Sequence, residues 1–131
     1  MRAIAVLAWM LAASLAFAAD VPYLTGRVVD EAGILSPAAK EKISQISAAR
    51  EAATGDQIAV LTMKSLDGES IEGFATKVFE AWKLGKKGQD NGVLVIVAPS
   101  ERKMRIEVGY GLEDSLTDAA SARIIREAMT P

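Results

Sequence analysis

The chain has 131 residues, with 15 basic and 17 acidic side chains, and contains neither cysteine nor histidine. The slight acidic excess excludes a nucleic-acid surface of the usual basic kind. Without cysteine there is no disulfide framework. Without histidine, the commonest general base, the commonest zinc ligand and the Ser-His and Cys-His catalytic pairs are all missing.

Met1-Arg2 is a short positive start, and from Ala3 to Ala19 every residue except Ser14 is apolar. Ala16-Phe17-Ala18 places small residues at the two positions that a signal peptidase reads. Residues 1–18 are therefore expected to be a secretory signal peptide, cleaved after Ala18. A membrane anchor fits less well, because a bilayer crossing takes about 20 apolar residues. The protein is expected to be exported, to a periplasm or the extracellular space. Arg2 is the only charge in the leader, so 14 basic and 17 acidic residues remain after cleavage. The remainder suits one domain with one core, held by packing alone or by a bound metal.

Residues 19–27 read as an extended lead that runs on through Val29, and Asp30-Glu31-Ala32-Gly33 as a turn. Ser36-Pro37 is a helix start, an N-cap hydroxyl followed by proline at the first helical position. Ala39, Ile43, Ile46, Ala49 and Ala53 follow at helical spacing, and Gly55 is the stop. Ile58 to Met63 is a nearly continuous apolar run, the mark of a strand covered on both faces. Ser70 caps a second helix whose apolar stripe is Ile71, Phe74, Ala75, Val78 and Trp82.

After a polar loop over Lys86–Gly92, Val93–Ala98 forms a second buried strand. Pro99–Arg102 turns the chain. Lys103–Val108 then alternates, with Met104, Ile106 and Val108 on one face, as an antiparallel strand does. Gly109-Tyr110-Gly111 ends it. Asp118 is predicted to cap a last helix carrying Ile124, Ile125 and Met129. The fold class is α/β: a three-layer α/β/α sandwich around a small mixed β-sheet, with two parallel strands and one antiparallel. The chain ends at Pro131 directly after the last predicted helix, so the domain is expected to be truncated at its C-terminus.

The hairpin acts as a ruler. If its turn centres on Ser100-Glu101, Val93 faces Val108 and Asn91 faces Tyr110. The Asp90-Asn91-Gly92 loop then lies beside Gly109-Tyr110-Gly111, with Glu113 and Asp114 following and Asp56 entering from the first strand. An all-oxygen set of this kind suits calcium or magnesium and does not suit zinc. The same residues are also ordinary turn formers, and the spacing alone leaves both readings standing. Ligands of open α/β sheets usually bind at the opposite, carboxyl ends of the strands. Lys83, Lys86 and Lys87 lack the glycine spacing of a phosphate loop, and no serine sits in a nucleophile elbow. No nucleotide, haem or zinc site is expected. Tyr110, between Gly109 and Gly111, is the candidate binding surface.

Val29-Asp30-Glu31-Ala32-Gly33-Ile34-Leu35-Ser36, Gly88-Gln89-Asp90-Asn91-Gly92-Val93-Leu94 and Arg105-Ile106-Glu107-Val108-Gly109-Tyr110-Gly111-Leu112-Glu113 resemble motifs of the TPM domain family. The resemblance covers nearly all of 28–130, within a TPM-like domain expected over 28–131. It implies an exported or lumenal α/β/α domain, and divalent-metal binding has been associated with that fold. The family includes a plant thylakoid-lumen protein described as an acid phosphatase linked to photosystem repair, and exported bacterial proteins that are often membrane-anchored. The motif positions carried over are Asp30, Asp90, Asn91, Gly109, Tyr110, Gly111 and Glu113. Family members continue with an aromatic, Gly-Asp-Tyr-containing segment and sometimes an anchor, which would lie beyond Pro131.

Three functions follow as expectations. The first is a module that binds a divalent metal through Asp90, Asn91, Glu113, Asp30 and Asp56, and contacts an envelope protein or membrane complex. The second is a metal-assisted acid phosphatase with Asp30 or Asp90 at its catalytic centre. The third is a scaffold in which the rim residues only shape turns.

Overall fold

The computed structural model describes residues 19–85, 89–114 and 116–129. The expected signal peptide at 1–18, Lys86, Lys87 and Pro131 lie outside the described residues.

Among the described residues, four strands form one sheet in the order β1-β2-β3-β4: β1 Val28–Asp30, β2 Gln57–Thr62, β3 Gly92–Ala98 and β4 Lys103–Val108. β1, β2 and β3 are parallel, and β4 pairs antiparallel with β3. The hairpin register is the one its sequence implies, with Val93 opposite Val108 and Ala98 opposite Lys103. The sheet has one strand more than the periodicity predicts. The end of the lead pairs with β2, Val28 beside Val60 and Asp30 beside Thr62. Asp30 thus ends a strand and also opens the expected turn, its carbonyl accepting from the Gly33 N–H at 3.2 Å. Three residues are too few to show an alternation, so the pairing with β2 defines this strand.

The register places Ala59 beside Leu94 and Leu61 beside Ile96, which puts all four on one face. Helix α2, Ile71–Trp82, covers that face with Ile71, Phe74, Ala75, Val78 and Trp82, all buried. These are the five residues of its predicted stripe. Burying each of the larger ones contributes roughly 1.5–3 kcal/mol. Ser70 caps the helix, its Oγ accepting from the Gly73 N–H at 3.0 Å. The lead joins this core. Ala19 is buried, Val21 packs against the core, and Trp82 Nε1 donates to the Pro22 carbonyl at 2.8 Å.

Helix α1, Pro37–Thr54, completes the sandwich from the other face. Ser47 Oγ donates to the Ile58 carbonyl at 2.6 Å, and Arg50 borders a hollow with Ile58 and Val93. α1 buries little, and Ile46 of its predicted stripe is 60 % exposed. Its ends carry the expected signals, with Ser36 Oγ accepting from the Ala39 N–H and Gly55 at φ 83°. After β4 the chain makes a 3₁₀ turn, Tyr110–Leu112, then helix α3, Asp118–Ile124, and a π-helical turn, Ile125–Met129. The cap of α3 is Thr117, whose Oγ1 accepts from the Ala120 N–H at 3.1 Å, and not Asp118. Both residues are good caps, and the chain enters helical geometry one residue earlier than predicted. Among the described residues no helix is long and apolar enough to cross a membrane.

Candidate functional site

Gln57 and Gly92 are the first residues of β2 and β3, so the loops around them form a rim at the amino ends of the parallel strands. Three backbone segments meet there. The Gln57 N–H donates to the Asn91 carbonyl at 3.0 Å, Gly109 N–H to Gly92 at 2.8 Å, and Gly111 N–H to Asp90 at 2.8 Å. The ladder of the hairpin therefore continues beyond the strands and sets Asp90-Asn91-Gly92 against Gly109-Tyr110-Gly111. The approach is so close that only glycine fits. A Cβ on Gly111 would fall on the Gln89 carbonyl oxygen, and one on Gly109 on that of Asp90.

Two of the rim's polar residues hold the rim itself. Asn91 is buried and donates from Nδ2 to the Gly55 carbonyl at 2.8 Å and to Gln89 Oε1 at 3.3 Å. Asp56 is buried too, and its Oδ2 accepts from Arg50 Nε and Nη2, each at 3.1 Å. Gln57, which periodicity gave no role, accepts at Oε1 from the Gly85 N–H at 2.9 Å and ties in the end of α2's loop. A glutamine opening an otherwise apolar strand was the available signal.

The remaining predicted residues face outward. Tyr110 is 82 % exposed, and Asp90, Glu113 and Asp114 are exposed. Asp90 adopts φ 48°, a left-handed conformation that aspartate tolerates better than most residues. No group of three acidic side chains comes within reach of a single ion among the described residues.

Asp30 is separate from all of these. It ends β1 beside Thr62, the last residue of β2, whereas Gln57 begins β2 at the rim. Five strand residues at roughly 3.3 Å each put the two ends about 17 Å apart. One oxygen of Asp30 accepts from Thr62 Oγ1 at 2.5 Å and from the Ile34 N–H at 3.1 Å, and the other from the Leu35 N–H at 3.0 Å. Burial alone would raise its pKa. The hydrogen bonds from Thr62, Leu35 and Ile34, with the charge of Lys40, outweigh it and hold the carboxyl below the ordinary aspartate value. Asp30 is thereby the staple of the loop that leads into α1. Nearby, at the carboxyl ends of the strands, lies a groove of about 760 Å³ floored by Ile34, Val97 and Met104. Arg102 and Lys103 stand at its edge, both exposed.

A family model described as the TPM domain matches residues 28–131. The chain is similar in structure to the N-terminal domain of a protein from P. gingivalis, at 35% identity and a TM-score of 0.78, over 86% of this chain and 74% of that one. It is also similar to the N-terminal domain of a Corynebacterium glutamicum protein, at 25% identity and a TM-score of 0.64, over 82% of this chain and 70% of that one. No curated protein matches.

Proposed function

This chain belongs to the TPM domain family, and from that premise we propose that it is an exported binding module whose amino-end rim holds a divalent cation and engages an envelope or protein partner. One observation carries the reading. A backbone packed too tightly for any residue but glycine holds an exposed tyrosine between outward carboxylates. An apolar ring with a polar tip, fixed on a rigid turn, suits a contact surface. Asp90 and Glu113 would hold the ion, with main-chain oxygens and water completing its shell. Such a set, without nitrogen or sulfur, favours calcium or magnesium. Two carboxylates imply weak affinity, in the range of about 10⁻⁴–10⁻³ M found for extracellular calcium modules. Asp56 and Asn91 support the site from behind, since each already has a partner.

A second reading, metal-assisted hydrolysis of phosphomonoesters, is favoured by the groove at the carboxyl ends of the strands. Open α/β sheets place ligands there, and Arg102 and Lys103 would attract a phosphate. The engaged carboxylate of Asp30 then positions the adjoining loop.

The test is a calcium titration of the purified protein, followed by thermal melting, beside Asp90→Ala and Glu113→Ala variants. With a dissociation constant near 1 mM, 10 mM calcium stabilises by about 1.4 kcal/mol, a rise of roughly 6 °C in Tm. Each variant loses the rise. An unchanged Tm in the native protein would sink the cation reading and leave the rim a scaffold. Phosphatase activity that survives both rim substitutions but falls in Arg102→Ala favours the groove.

A further inference from the structure

The lead ends against two charged side chains that the rim and the groove do not use. Ala19 is 3 % exposed. Its backbone N donates to Glu69 Oε2 at 3.1 Å, and its carbonyl accepts from Lys77 Nζ at 3.3 Å. Lys77 Nζ also donates to Glu69 Oε1 at 3.0 Å and Oε2 at 3.1 Å, which closes a ring of charge around one residue. Lys77 lies over the Phe74 ring, 5.7 Å from its centroid, so the ring of charge sits on the main core. The next residues are fixed in turn, Val21 by packing and Pro22 by Trp82 Nε1.

The sequence places the expected cleavage after Ala18, which makes Ala19 the first residue of the processed chain. We propose that Glu69 and Lys77 form a receptor for the new N-terminus, so that removal of the leader locks the lead onto the core. In the precursor the Ala19 nitrogen is a neutral amide. Signal peptidase hydrolyses the Ala18–Ala19 bond: water supplies hydroxyl to the Ala18 carbonyl and a proton to the leaving nitrogen. The Ala18 carboxyl then ionises, and the Ala19 amine takes up a proton. An α-amine has an ordinary pKa of about 7.7–8.0, so near neutral pH it is mostly an ammonium. The hydrogen bond to Glu69 then becomes a charge-assisted ion pair, the stronger class of contact. Lys77 keeps its bond to the Ala19 carbonyl, which sets the orientation of the residue. The inference rests on the export reading and is independent of the cation site.

The full chain is exported from a bacterial host, and the mass of the recovered protein is measured. The expected first residue is Ala19. The α-amine is then acetylated under denaturing conditions, the protein is refolded, and melting is compared across the native sequence, Glu69→Gln and Lys77→Met. Acetylation lowers Tm by about 4 °C or more in the native sequence. It lowers Tm in Lys77→Met as well, and has no effect in Glu69→Gln, whose partner for the ammonium is gone. An aminopeptidase trims Glu69→Gln several-fold faster than the native protein. Processing at another bond overturns the proposal. So does an equal effect of acetylation in the native protein and in Glu69→Gln, which would mean that the amine and Glu69 are not coupled.

Discussion

Thr62 Oγ1 donates to Asp30 Oδ1 at 2.5 Å and accepts from the Ala32 N–H at 3.1 Å. This one buried hydroxyl joins the ends of β1 and β2 to the loop that enters α1. Thr62→Val keeps the shape and removes both bonds. It is expected to cost about 1–3 kcal/mol, read from urea unfolding, because Asp30 and Ala32 lose a buried partner.

Asp30 makes part of the stability depend on pH. Its folded pKa lies below the ordinary 3.8. A depressed carboxyl stabilises the fold at pH values above its unfolded pKa, and that contribution fades as pH falls through the folded value. The stability gap between the native protein and Asp30→Asn is therefore expected to be constant from neutrality to about pH 5, and to close below about pH 4. Denaturant midpoints across that range measure it. A gap that widens on acidification would contradict the assignment.

The glycines of the rim are expected to be unequal to those elsewhere. Gly111→Ala drives a methyl into the Gln89 carbonyl, whereas Gly26 has nothing within 4 Å of its Cβ position. Gly111→Ala should cost at least about 2 kcal/mol, and Gly26→Ala should be close to neutral. Paired thermal melts decide this.

Asn91 and Asp90 are neighbours with different work. Asn91→Ala leaves the Gly55 carbonyl without its buried donor and should lower stability by about 1–3 kcal/mol. Asp90→Ala removes an exposed side chain and should cost no more than about 1 kcal/mol while abolishing the calcium response. If the two variants behave alike in both readouts, the division between support and contact is wrong.

Ser121 is buried, and its Oγ has no hydrogen-bond partner among the described residues. Ser121→Ala removes a desolvated hydroxyl at little cost in packing. It is expected to leave stability unchanged or raise it by up to about 1 kcal/mol.

Much of this fold is legible along the chain. The stripe of α2, the two apolar strands and the hairpin register follow from periods of 3.6 and 2 and from the turn at Pro99–Arg102. The meeting of Asp90-Asn91-Gly92 with Gly109-Tyr110-Gly111 follows from counting outward from that turn. Which rim residues are spent and which face solvent does not follow. Asp56, Asp90 and Glu113 are alike as carboxylates, yet Arg50 engages only Asp56 among the described residues.

The sequence by itself determined the class of the fold, its main elements and the rim's composition, because local periodicity and turn chemistry act over a few residues. Tertiary structure alone made a strand of Val28–Asp30, set Asp30 at the far end of the sheet from Asp90, and carried Ala19 to Glu69. Those outcomes depend on partners 30 to 50 residues away. A three-residue strand or a single carboxylate has no period of its own, and it acquires its role only when packing brings the partner to it.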